Sequence, residues 1–199
     1  MNKTYLLPFA ILLTTSCGPS EYSQDAVSVR HDSRAQHDSG FIMDAEIDSL
    51  SRLSLSNAMS VYFGSMFNGG VDTAVTFVHP LVFKRMEAVY PPGTDVVQEF
   101  KQTLKAQSME AASPLEVSVN LQDVSKRLEY GSQWIHVVGF NLDLSYKGEQ
   151  SSTGKDRLIA ISEDQSKTWK FIPANNPEVR GILAQELPDE VVTALTTGL

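Results

Sequence analysis

Trp134, His136, Val138, Phe140, Leu142, Leu144 and Tyr146 occupy every second position of one stretch. A period of two places them all on one face of a β-strand. The run is more than twice as long as an ordinary strand of about five or six residues. A strand of that length must twist and bend, and Gly139 is the candidate bend. It also needs partners of comparable reach. Leu115, Val117, Val119 and Leu121 alternate in the same way after Ser113-Pro114, and residues 155–162 and 168–173 supply two more strands. Lys147 to Gly154 is polar and reads as a hairpin connection, so the sheet is expected to be antiparallel.

Upstream the period is that of a helix. Ala58, Met59, Tyr62, Phe63, Met66 and Phe67 fall on one helical face, and Asn68-Gly69-Gly70 is a stop. Asp72 is the expected cap of a second short helix carrying Ala74, Val75, Phe77 and Val78, which ends at His79-Pro80. His79 reads as a helix-terminal residue favoured by the negative end of that dipole. A third helix covers Leu81 to Ala88. Asp95-x-x-Gln98 opens a fourth, striped by Val96, Val97, Phe100 and Leu104. Two short helices, Pro177–Gln185 and Pro188–Leu195, close the chain. The expected class is α+β, with N-terminal helices packed in an antiparallel sheet and short C-terminal helices.

Residues 47–199 suffice for one domain with its own core. The chain has a net charge of −8 and only two basic doublets, Lys84-Arg85 and Lys126-Arg127. Nucleic acid, which demands a basic footprint, is excluded as a partner. Residues 17–46 are rich in Ser, Asp, Gln and His, lack apolar periodicity and read as a flexible tether. His-Asp-Ser occurs there twice, at 31–33 and 37–39. Imidazole and carboxylate are metal ligands, but a polar tether explains the units equally well. No metal or other cofactor is expected. No nucleophile elbow or phosphate-binding glycine loop occurs either.

Residues 1–16 divide into a short positive end with Lys3, an apolar run from Tyr5 to Leu13 and the small residues Thr14-Thr15-Ser16. The run is too short to span a bilayer, which takes about 20 apolar residues. Cys17, the only cysteine, follows at once. This arrangement resembles the signal peptide of a bacterial lipoprotein, although Thr14 stands where that pattern has an aliphatic residue. The resemblance implies cleavage before Cys17, a lipid on its thiol and attachment to the cell envelope. Gly18 rather than Asp after the cysteine implies the outer membrane in a Gram-negative cell. With Cys17 so used, no thiol remains for a disulfide, and the domain must stand on its core.

The order of helices then long alternating strands, with Phe77-Val78-His79-Pro80 ending a helix, resembles the nuclear transport factor 2-like superfamily, the cystatin-like cone. There a strongly curved sheet wraps the helices and leaves an open end. The resemblance covers about residues 50–175 and implies a pocket lined by Tyr62, Phe63, Trp134, His136, Val138 and Phe140. His136 is the one ionisable group on that strand face, and Asn141 and Asp143 lie on the other. A lone histidine among aromatics is expected to be structural, which leaves no catalytic residue. The leading expectation is a non-catalytic envelope lipoprotein binding a protein partner or a small apolar ligand. The alternative is a small isomerase, lyase or hydrolase of the cone type using His136.

Ser162-Glu163-Asp164-Gln165-Ser166-Lys167-Thr168-Trp169 resembles the Asp-box hairpin of sialidase-type propellers, with Ser166 where that pattern has glycine. One copy and no internal repeat exclude a propeller. Ser162, Asp164, Thr168 and Trp169 are therefore expected to stabilise a hairpin, with Asp164 accepting main-chain N–H bonds and Trp169 packed beneath.

Overall fold

The computed structural model describes residues 41–43, 47–108, 115–146 and 149–199. The leader, Cys17, both His-Asp-Ser units and most of the expected tether lie outside the described residues. Within them the chain is α+β, with five strands in one open antiparallel sheet and six helices. In chain order these are β1 (Phe41–Met43), α1 (Ser49–Phe67), α2 (Val71–Phe77), α3 (Pro80–Val89), α4 (Val96–Ser108), β2 (Glu116–Tyr130), β3 (Gln133–Tyr146), β4 (Glu149–Ser162), β5 (Lys170–Pro173), α5 (Val179–Leu183) and α6 (Asp189–Thr196). The strands lie in sequence order across the sheet.

Local chemistry explains the helix ends. Asp48 Oδ1 accepts from the N–H groups of Leu50 and Ser51, both at 2.9 Å, and caps α1. Gly69, at φ +77°, ends it after the Asn68 cap. Asp95 Oδ1 accepts from Gln98 N–H ahead of α4, as its sequence pattern predicts. The expected Asp72 cap is not formed: Gly70 holds that position, and Asp72 pairs with Lys101 of α4 at 2.7 Å. His79 also differs from expectation. It is the N-cap of α3, its Nδ1 accepting from Leu81 N–H at 3.3 Å, so it sits at a positive helix end. Burial lowers its pKa, and the neutral ring is the form that accepts this bond.

β3 follows the thirteen-residue alternation closely. β2 runs nine residues past Leu121, where the sequence pattern stops. Register shifts at Leu121/Asp123 and Val124/Lys126 are the cause. Each extra residue reverses which parity faces a given side, so Val124 lies opposite Val138 on one face, Leu128 lies opposite Ile135 on the other, and no simple period survives. Gly139 pairs with Asp123 beside the first shift, so the irregularity lies in the partner strand and not at the glycine. A two-residue Gly131-Ser132 turn, with Gly131 at φ +60°, joins β2 to β3. β1 lies within the stretch whose composition reads as tether. It pairs Phe41 with Tyr130 and Met43 with Leu128 along the edge of β2.

Both faces of the central strands are buried. Val138 and Phe140 share one face with Leu158 and Phe171, and α1 closes that face, with Phe63 5.1 Å from Phe140 and Tyr62 5.2 Å from Phe171 between ring centres. Ile135, Val137, Ile159, Ile161 and Ile172 are buried on the other. Arg157 belongs to that second face by register and donates to the Gly198 carbonyl oxygen at 2.5 Å, which brings the end of the chain over it. Arg85 of α3 gives Glu178 Oε2 bonds of 3.1 and 2.7 Å from Nε and Nη2, fixing the approach to α5.

Candidate functional site: the outer face of α1

α1 is apolar on two sides. Leu55, Met59, Tyr62, Phe63 and Met66 enter the core. Leu50, Leu53 and Val61, at helical spacing on another side, are 77%, 59% and 49% exposed. Single exposed apolar residues are ordinary, but three in line on one helix beside a concavity are a candidate binding surface. The concavity is a groove of about 690 Å³ between α1, the end of α2 and the segment leading into β5. Leu50, Leu53, Ala58 and Val61 form one wall, Phe77 and Trp169 the apolar base, and Lys167 and Lys170 the opposite rim. Lys170 Nζ donates to the Thr76 carbonyl oxygen. No lining residue is acidic.

The hairpin that builds this rim has the hydrogen bonds its sequence predicts. Asp164 Oδ1 accepts from Thr168 N–H at 2.8 Å and from the Ser162 hydroxyl at 3.0 Å, while Oδ2 accepts from the Thr168 hydroxyl at 2.8 Å. Burial pushes the Asp164 carboxyl up, but these bonds outweigh it and hold the pKa below the usual value. Gln165 and Ser166 have φ of +57° and +74°. Ser166 thus adopts the left-handed backbone that glycine takes most cheaply, at the place where the related pattern has glycine. Its main-chain oxygen accepts from the Ser54 hydroxyl at 2.6 Å, and its hydroxyl lies 2.9 Å from that of Ser51. Trp169 is buried, and its Nε1–H donates to Ser54 Oγ at 3.2 Å. The hairpin is bolted to the first turns of α1.

The residues expected to line an open interior occupy a packed one. Tyr62, Phe63, His136, Val138 and Phe140 are buried core side chains, and the groove is lined by none of them. The physical reason is volume: the rings of Tyr62, Phe63, Phe140 and Phe171 fill the space between α1 and the sheet. Trp134 lies at the margin, with the Arg127 guanidinium 4.4 Å from its ring centre. His136 is fully buried, edge-on to Trp169 at 5.4 Å, and among the described residues neither ring nitrogen has a hydrogen-bond partner. Burial, and secondarily the Arg127 charge, lowers its pKa to about 4. A neutral imidazole without exposed surface is badly placed to exchange protons with a bound molecule.

The groove was not anticipated from the sequence. Its signal was present in Leu50, Leu53 and Val61, apolar residues three and eight apart and so within about one and two turns of one another, on a helix that already had an apolar face. Among the described residues no three His, Cys, Asp or Glu side chains gather to hold a metal ion, and no helix is long and apolar enough to cross a membrane. No protein-family model matches the chain, and no curated protein matches it.

Proposed function

We propose that this protein is an envelope lipoprotein, anchored through a lipid on Cys17, whose folded domain is a non-catalytic module that binds a protein partner or small apolar ligand. The exposed apolar line of Leu50, Leu53 and Val61 above the groove carries the binding reading. The lone cysteine closing a short apolar leader supports the anchor. In a Gram-negative cell Gly18 favours the outer membrane. The helix-first order, the aromatic contacts of α1 with the sheet and the register shifts that bend the long strands support a cone of the nuclear transport factor 2-like type, its interior filled. Binding then takes place on the outside of the helix layer.

Two measurements test this. Metabolic labelling with a palmitate analogue should mark the wild-type chain and not Cys17→Ser, which should leave the membrane fraction; unchanged labelling removes the anchor. The full chain should enhance the fluorescence of the apolar dye anilinonaphthalene sulfonate, and Leu53→Asp should lose most of that enhancement. Equal enhancement in the variant would show that the dye, and the function, belong elsewhere.

A further inference from the structure

We infer that the groove beside α1 receives an acidic amphipathic helix of a partner protein, an inference that rests on reading this face as a binding surface. Shape gives the first argument. Leu50 and Val61 are eleven residues apart on α1, about 17 Å at 1.5 Å per residue, which matches three turns of a partner helix laid along it. The site has two walls, α1 and the 167–170 rim, with Trp169 and Phe77 between them. A rod fits such a trough better than a flat bilayer does.

Charge gives the second. The chain has a net charge of −8, yet this groove has two lysines and no acid in its lining. Lys167 is exposed and extends from a hairpin held rigid by Asp164. The acids on adjoining elements lie outside the lining: Asp48 caps α1, Asp164 braces the hairpin, Glu163 accepts from Gln133 at 3.5 Å and Asp72 pairs with Lys101. Two lysines on the acid-free lining of an otherwise acidic protein complement an acidic partner and disfavour a second copy of the same chain, which would bring like net charge to the contact. The partner helix would present apolar residues at i, i+3/i+4 and i+7 to Leu50, Leu53 and Val61, with Asp or Glu beside them facing Lys167.

The test is selection from a displayed library of random fifteen-residue peptides against the full chain, with counter-selection on Leu53→Asp. The expected winners have an apolar line at helical spacing flanked by Asp or Glu, and Trp169 fluorescence, read in a Trp134→Phe background, shifts on adding one of them. Lys167→Glu should weaken that peptide about fivefold or more, and added salt should weaken it on wild type. Winners that require Leu53 but show no acidic bias would overturn the acidic-helix inference and leave the binding surface standing. No Leu53-dependent winner would overturn both. Binding to anionic vesicles that Leu53→Asp abolishes, or a concentration-dependent dimer lost in that variant, would assign the groove to a membrane or to a second copy and likewise overturn the inference.

Discussion

Ser54 and Ser166, 112 residues apart, are joined by a 2.6 Å hydrogen bond from the hydroxyl of the first to the main-chain oxygen of the second. The same hydroxyl accepts from Trp169 Nε1–H. One small side chain on α1 therefore fixes both the turn and the indole that bound the groove.

Ser54→Ala leaves a buried indole N–H and a carbonyl oxygen without this partner. Loss of a buried bond costs about 1–3 kcal/mol. The unfolding free energy should fall by that amount, read as a lower denaturant midpoint at unchanged slope, and an unaltered midpoint would mean that the hairpin holds without α1.

Ser166 allows a sharper comparison. Alanine and glycine both remove its hydroxyl, and they differ chiefly in the cost of a φ of +74°. Left-handed backbone costs a residue with Cβ about 1–2 kcal/mol. Ser166→Gly should therefore be more stable than Ser166→Ala by about 1 kcal/mol in chemical denaturation, and equal stabilities would deny the strained turn.

Asp164→Ala removes three bonds that brace the hairpin. The site is part-exposed, so water takes over the freed groups and the loss is about 1 kcal/mol. Because Lys167 is carried by this turn, the variant should also reduce dye binding in the groove.

His136 makes the fold sensitive to acid. Its folded pKa of about 4 lies below the usual 6.5, so the unfolded chain binds the proton more tightly. The stability it allows is complete above pH 6.5 and is lost as pH falls toward 4. With each pKa unit equivalent to 1.36 kcal/mol, the whole change is about 3 kcal/mol. Neither ring nitrogen is bonded among the described residues, so His136→Leu should be tolerated at pH 7. It should gain on wild type by about that 3 kcal/mol between pH 7 and pH 4. Parallel stability curves for the two proteins would refute the buried neutral ring.

β1 sets a boundary. A chain starting at Phe41 should melt like one that retains residues 18–40, whereas one starting at Ile47 exposes the edge of β2 that β1 covers. The shorter chain should melt several degrees lower, as a loss of about 1 kcal/mol implies. Equal melting of all three would make β1 incidental.

The sequence by itself determined the features that depend on neighbours along the chain. The alternation from Trp134 to Tyr146 specified β3, Asp95 and Gln98 marked the start of α4, and Ser162 to Trp169 specified a turn whose hydrogen bonds run within eight residues. Only the tertiary structure decided what depends on neighbours across space. Two register shifts carry β2 on to Tyr130, because the inserted residues erase the period that would announce it. Phe41–Met43 become a strand because an open edge of β2 lies beside them, although their surroundings in sequence are polar. His79 caps α3 instead of ending α2, since Phe171 takes its N–H in a bond from another element. The aromatic residues expected around a pocket fill the core, and the opening lies on the outer side of α1. Periodicity can show that a helix has two apolar faces, but only packing decides which one is left in water.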